Sequence, residues 1–292
     1  MLGLNKEKMT AIQREVCVVV VLFNPQSEQI NNVEALSSNI SVAAIDNSEE
    51  ASKVNCAYYV PLLKNLGIAA AQNVGIKYAK SEGFKYVLLL DQDSCVDIDF
   101  VYGLYNAFKK IEEFDSQVAY LGPVFIDKKS GQEYKNHSNE EKDFTKVNAL
   151  IASGSMISLN AIDKVGMMDE SLFIDIVDFE WCWRTNSMGY TGYITRNVTM
   201  IHSIGKEYHN WHGFVIGISA PFRYYYQYRN TIWLCRRKYV PFKWKLKSIL
   251  RRILDLFLVP IVSSEGKNCL NYMIKGISNG LLYKNTPYFN EI

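Results

Sequence analysis

Apolar and polar positions follow two periods along the first half of the chain. "VCVVVVLF" (16–23) is an unbroken β-branched run, the pattern of a strand buried on both faces. The segment around Ser27–Ser38 is helix-like, and "SVAAID" (41–46) reads as a second, short strand. "IAAAQNVGIKYAKSEG" (68–83) carries apolar residues at Ile68, Ala71, Val74, Ile76 and Ala79, a helical pattern that Gly83 ends. "KYVLLLD" (85–91) is a third buried run. Strand–helix–strand–helix–strand predicts an α/β fold with a parallel sheet and right-handed crossovers. Ligands of such sheets gather at the carboxyl ends of the strands. Those ends carry Phe23, Asn24 and Pro25, then Asp46 and Asn47, then Asp91 and Asp93.

The second half is less regular. "AYLGPVFID" (119–127) predicts a strand followed by a turn, and 128–143 is a polar excursion. "VNALIASGSMISLN" (147–160) reads as strand–turn–strand with Gly154 at the turn. "VDFEWCWRTNSMG" (177–189) predicts a helix closed by Gly189, and "YTGYITRNVTMIHS" (190–203) two short strands. From about Ser219 aromatic and basic residues mix in a long helical tail.

Composition narrows the function classes. The 292 residues have room for one large domain or two small ones, and 48% hydrophobic with 21% charged is a globular balance. A net charge of +2 argues against a nucleic-acid binder driven by overall charge. The 19 tyrosines suit a polar ligand such as a sugar. The six cysteines form no C-x-x-C pair, so a zinc cage is not expected and a reducing, cytoplasmic setting is. Nothing before residue 16 has the apolar core of a signal peptide, and no run is long enough to span a bilayer. The nearest, "ILRRILDLFLVPIV" (249–262), is broken by Arg251, Arg252 and Asp255.

Several residues invite chemistry. Asp91 and Asp93 are spaced so that both carboxylates can face one cavity, where a divalent cation would draw its remaining oxygens from a diphosphate and water. A carboxylate at Asp46 can accept from the imide N–H of uracil or thymine; the blander reading of Asp46-Asn47-Ser48 is a turn. Gly67 precedes an Ala-rich helix that contains Asn73, and a helix N-terminus favours anions. Asp175, Asp178 and Glu180 are acids in an apolar setting, and Asp178, Trp181 and Cys182 share a helix face, a plausible environment for a base. Glu180 and Arg184 have the spacing of an ordinary i,i+4 pair. His202 follows an apolar strand and could complete a metal shell. "RYYYQYRN" (223–230) crowds Arg223 and Arg229 among tyrosines, either as a phosphate or sugar clamp or as a docking helix.

In order, "VVVVLFNP", "AAIDNSE", "NLGIAAAQNVGI", "LLLDQDS", "GSMIS", "DESLFIDIVDFEWCWR", "HSIG" and "RYYYQYRN" resemble family 2 glycosyltransferases of the GT-A fold, and among these bacterial rhamnosyltransferases. The resemblance spans residues 16–230. It implies a GT-A catalytic domain at 1–218, with a nucleotide-sugar half at about 14–125 and an acceptor half at about 126–218, then a helical, basic and aromatic extension at 219–292. Phe23 and Pro25 would flank the base and Asp46 would read its imide edge. Asn47, Asn65, Gly67, Asn73, Asp91, Gln92, Arg223 and Arg229 would border the nucleotide-sugar. Asp93 and His202 would ligate Mg2+ or Mn2+, and Gly154, Ser155 and Trp181 would face the acceptor. Asp178 would be the catalytic base; the family often has Glu-Asp there, and Val177 in place of the acid leaves Asp175 as a rival.

The implied reaction is inverting transfer of L-rhamnose from dTDP-β-L-rhamnose to a cell-surface polysaccharide or lipid-linked glycan. Alternatives are a UDP-sugar donor (galactose, galactofuranose or N-acetylglucosamine) or a non-catalytic nucleotide-sugar-binding module. The basic, aromatic stretch 236–252 suits an anionic membrane surface, hence a peripheral position at the inner face of the plasma membrane; a homodimer through the C-terminal helices is the other expectation for the tail.

Overall fold

The computed structural model describes residues 6–127, 131–133, 142–202, 207–211 and 214–282. In chain order the first half runs α1 (Lys6–Glu15), β1 (Val16–Leu22), α2 (Ser27–Ser37), β2 (Val42–Asp46), β3 (Tyr58–Pro61), α3 (Ile68–Ser81), β4 (Tyr86–Asp91), α4 (Ile98–Glu112) and β5 (Val118–Asp127). The second half runs β6 (Phe144–Val147), β7 (Ser155–Ser158), α5 (Leu159–Val165), α6 (Val177–Ser187), β8 (Thr191–His202), β9 (Glu207–Trp211), β10 (Phe214–Ile218), α7 (Pro221–Arg236), α8 (Phe242–Val262) and α9 (Gly266–Leu282).

Eight strands form one mixed sheet in the order β3-β2-β1-β4-β7-β5-β8-β6. β3, β2, β1 and β4 are parallel, as the apolar runs predict, and every residue of β1 is buried. One apolar cluster packs α4 on one side of the sheet, and another packs α3, α5 and α6 against it. β7 runs antiparallel to both β4 and β5.

This register gathers the candidate residues. Leu22 lies opposite Asp46 and Val21 opposite Asp91, so the carboxyl ends of β1, β2 and β4 share one edge. Because β7 runs opposite to β4, the loop entering β7 arrives at that same edge: Gly154 N donates to Leu89 O (2.8 Å) and Asp91 N to Ser153 Oγ (3.1 Å).

The sequence pattern departs from this architecture in several places, among them the first strand read within 147–160, which ends at Val147 as β6, and α1, which the pattern did not indicate. Residues 159–165 form α5 rather than continuing as strand, and 191–202 form one twelve-residue strand, not two short ones. β3 and α4 were not legible as elements from the pattern; α4 starts where Asp97 Oδ1 caps Phe100 N at 2.9 Å. The tail from residue 221 is helical as expected, in three helices, and no helix of the described residues is long and apolar enough to cross a membrane.

Candidate active site

Two cavities adjoin at the strand ends. The first, about 370 Å³, lies over β1 and β4 and has a polar wall of Asn47, Asn65, Asp91, Gln92 and Asp93. Its apolar side is built from Phe23, Ile68, Phe173, Ile174 and Phe222. The second, about 340 Å³, contains Asp175, Asp178, Arg223 and Gln72. Asp91, Ile68 and Ile174 line both.

Side-chain amides brace the first cavity. Gln92 Oε1 accepts from Phe23 N (2.7 Å) and its Nε2 donates to Phe23 O (3.2 Å), tying the ends of β1 and β4 together. Asn47 Nδ2 donates to Asn65 Oδ1 (2.9 Å), and Asn47 Oδ1 accepts from Leu66 N (2.7 Å). Asn65 Oδ1 also receives Gly67 N at 3.0 Å, which sets the turn into α3. Gly67 has φ +86°, and a Cβ there would fall 2.6 Å from Phe173 O, so a side chain is excluded twice over. That closeness lets Ile68 N donate to Phe173 O at 2.7 Å, so the start of α3 holds the 173–176 loop.

That loop is strained. Phe173, Asp175 and Ile176 have φ of +66°, +66° and +67°, a region β-branched and bulky residues avoid. Two adjacent side chains of α7 hold it there. Arg229 Nη2 donates to Ser171 O (2.7 Å) and Leu172 O (3.0 Å). Asn230 Nδ2 reaches Leu172 O (3.0 Å), Ile174 O (2.9 Å) and Asp175 O (3.3 Å). Tyr226 stacks on Phe173 with ring centroids 4.6 Å apart.

The loop delivers two acids with different electrostatics. Asp175 is gripped by Arg223 through both of its oxygens. Asp178, in the first turn of α6, accepts from Phe179 N at Oδ1 (2.9 Å) and from Ala152 N at Oδ2 (3.0 Å). Burial pushes its carboxyl up to about 6; those two N–H groups oppose the shift and the nearby Asp91 charge adds to it. Asp178 is therefore an acid poised to exchange a proton near neutrality, while Asp175 is committed to an ion pair.

The structure brings Phe23, Asn47, Asn65, Gly67, Asp91, Gln92 and Asp93 around one cavity, and Arg223, Asp175 and Asp178 around its neighbour. Seven other expected residues are already engaged or lie elsewhere. Asp46 is fully buried, and its carboxylate already accepts from Ser48 N (3.1 Å), Ser48 Oγ (2.5 Å), Ser52 N (2.9 Å) and Tyr59 OH (2.9 Å). Burial would raise its carboxyl, but these donors outweigh it and hold it below the ordinary value, so Asp46 shapes the 47–52 loop rather than offering a free acceptor to a base. Asn73 is buried and spends its amide on Met168 N, Met168 O and Glu170. Arg229 is a loop holder, packed against Trp233 and Tyr226, rather than a phosphate clamp.

Trp181 is fully buried and donates to Gly166 O (2.8 Å), so it cannot touch an acceptor. Ser155 is buried and donates to Ile151 O (2.6 Å), while Gly154 (φ +81°) passes close to Pro123 and Met200. Both set the path of the loop that pins Asp178. Pro25 lines neither cavity. The side chain of His202 lies outside the described residues. Phe173, Ile174, Phe222 and Asn230 were given no role from the sequence; Phe173 and Ile174 lie in the quoted acidic motif and Asn230 beside Arg229 in the tyrosine-rich one, whereas Phe222 left no trace.

The family model for glycosyl transferase family 2 matches residues 37–166. The dTDP-rhamnosyl transferase RfbF of Shigella flexneri is 33% identical over 284 residues, covering 90% of this chain and 93% of its own length. This chain belongs to glycosyltransferase family 2. Two solved structures of S. aureus TarS 1–349 share its fold: the complex with UDP (TM-score 0.52, 13% identity, 90% of this chain and 81% of that one) and the form without it (TM-score 0.50, 13% identity, 92% and 81%). The family 2 enzyme thus has a GT-A sheet, with both cavities at its carboxyl edge and α7 contributing Phe222 and Arg223 to their walls.

Proposed function

We propose that this glycosyltransferase moves an L-rhamnosyl group from dTDP-β-L-rhamnose onto a glycan acceptor, with inversion. The donor assignment follows the relative from Shigella flexneri, matched over nearly its whole length. The observation that carries the mechanism is the pair of adjoining cavities sharing Asp91, one ending at Asp93 and the other at Asp178.

In this reading the nucleoside diphosphate occupies the first cavity and the acceptor hydroxyl enters the second. The Asp178 carboxylate takes the hydroxyl proton as that oxygen bonds to the anomeric carbon. The bond from that carbon to the diphosphate oxygen breaks, and dTDP leaves. A single displacement from the face opposite the leaving group turns a β-L donor into an α-L-rhamnoside and needs one base.

Asp93, which is exposed, is the carboxylate that would hold Mg2+ or Mn2+, with Asp91 beside it facing the sugar; a carboxylate suits these ions when diphosphate oxygens and water complete the shell. The bound cation would stabilise charge on the departing diphosphate. Among the described residues no three His, Cys, Asp or Glu side chains cluster as a metal site.

In this proposal the enzyme works at the anionic inner face of the plasma membrane, near a polysaccharide or lipid-linked acceptor. Exposed Phe242, Leu246, Leu250, Phe257 and Ile261 along α8, with Lys243, Lys247 and Arg251 beside them, support a peripheral attachment.

The deciding experiment measures nucleotide release from dTDP-rhamnose, UDP-galactose, UDP-N-acetylglucosamine and GDP-mannose, with and without manganese. Release from dTDP-rhamnose alone is expected. Preference for a UDP-sugar would overturn the donor, and binding without consumption would make the protein a non-catalytic module.

A further inference from the structure

The junction between the two cavities is chemically lopsided. The three residues lining both are one carboxylate, Asp91, and two aliphatics, Ile68 and Ile174. If glycosyl transfer proceeds as proposed, the pyranose must lie across this junction. Its anomeric carbon is bonded to the diphosphate on the Asp93 side and is attacked by the oxygen whose proton passes to Asp178. Asp91 can accept from ring hydroxyls. Ile68 and Ile174 can accept from nothing, and Phe173 and Phe222 extend the apolar surface into the first cavity.

Both aliphatics stand on anchored backbone. Ile68 opens α3 and packs partly into two apolar clusters. Ile174 sits between Phe173 and Asp175, both fixed at positive φ, and Asn230 holds its carbonyl at 2.9 Å. A hexose would press its C6 hydroxyl against this surface and lose a water partner without replacement. A 6-deoxyhexose presents a methyl there.

We propose that Ile68 and Ile174 are specificity-determining residues that select donors whose sugar ends in a C6 methyl. The inference rests on the transfer reading above and goes further: it assigns the choice of sugar to two residues at the junction of the cavities. An apolar pocket rejects an added hydroxyl by about 100-fold at most, so the expected discrimination is on the order of 10- to 100-fold.

The test is direct competition between dTDP-β-L-rhamnose and dTDP-β-L-mannose, which differ only by the C6 hydroxyl. The ratio of kcat/KM values from one reaction does not depend on how much enzyme is folded. The enzyme should favour the rhamnosyl donor by the factor above, and Ile174→Ser and Ile68→Ser should each move the ratio toward one. Calorimetric binding of dTDP, which carries no sugar, reports whether each variant keeps its nucleotide site. Equal use of both donors by the unmodified enzyme overturns the inference and leaves rhamnosyl transfer standing; it would mean that Gln72 or Arg223 supplies the hydroxyl with a partner. A ratio unmoved in both variants while dTDP still binds overturns it as well. Turnover restricted to 6-hydroxylated sugars would remove both readings together.

Discussion

Asp178 and Asp175 lie three residues apart, yet their surroundings separate them. Arg223 grips Asp175 through both oxygens, whereas Asp178 is met by backbone N–H groups and has a burial that raises its carboxyl to about 6. Asp178→Asn should bind the donor nucleotide with near-normal affinity and lose transfer by at least about 100-fold, the low end of what a positioned base contributes; a dead Asp175→Asn beside an active Asp178→Asn would reverse the assignment. A base must be ionised, so kcat/KM should fall as pH drops through about 6 and level off above it. The sign for stability is the opposite. A carboxyl raised from its ordinary 3.8 binds its proton more tightly folded than unfolded, so ionised Asp178 costs stability as pH rises from 3.8 to about 6. Asp178→Asn should therefore unfold at a higher temperature than the unmodified enzyme at pH 7.5, with the gap closing near pH 4. At Asp93, replacement by Asn should abolish the stimulation by manganese in the nucleotide-release assay, and unchanged stimulation would remove this residue from the metal site.

The strained 171–176 loop owes its shape to α7. Arg229 and Asn230 cap four carbonyls of that loop, and each buried carbonyl left bare costs about 1–3 kcal/mol. Asn230→Ala should lower stability by a few kcal/mol on that scale. It should also lower kcat more than it raises the donor KM, because Asp175 and Asp178 are displaced while the amide braces of the nucleotide cavity remain. Equal loss of kcat with an unchanged melting temperature would contradict this, since relaxed strain and bared carbonyls must both appear in stability. Asn230 also marks the limit of the sequence. Buried runs fixed β1, β2 and β4, and with them the edge where Asp91 and Asp93 stand, because period and apolarity are local properties. The loop's left-handed residues are Phe, Asp and Ile, of which only Asp tolerates positive φ, so the need for carbonyl partners could not be read from it. Asp46 failed for a related reason. A carboxylate at a strand end looks available until the partners that return to it from Ser52 and Tyr59 are seen. Trp181 shared a helix face with Asp178 in sequence, but the turn between them takes the indole into the core and leaves the carboxylate at the cavity.

At the scale of the molecule, the extension is bound to α6 and the 169–175 segment on one side and bare on the other. Arg237, buried between α7 and α8, pairs with Asp169 and with Glu180 (3.0 Å to the latter), while Glu180 also pairs with Arg184 of its own helix at 2.9 Å. What reads in sequence as a surface i,i+4 pair is thus a buried network joining α6 to the tail. α9 completes the anchorage by packing on α7, with Gly276 close to the Tyr225 carbonyl. This fixes α8 in orientation and leaves Phe242, Leu246, Leu250, Phe257 and Ile261 in solvent, spaced three to four residues or twice that along a 21-residue helix. Each such side chain contributes about 1.5–3 kcal/mol on leaving water, and each flanking cation about 1 kcal/mol at an anionic surface. The enzyme should therefore co-sediment with phosphatidylglycerol-containing vesicles at low salt. Leu250→Glu with Phe257→Glu should abolish this while transfer to a water-soluble acceptor persists, since neither residue lines a cavity of the active site. Raised salt should weaken the attachment without eliminating it, because only the cationic share is screened. Absence of vesicle binding, together with a dimer in analytical ultracentrifugation that the same two substitutions dissociate, would assign the α8 face to a second copy of the chain and sink the membrane.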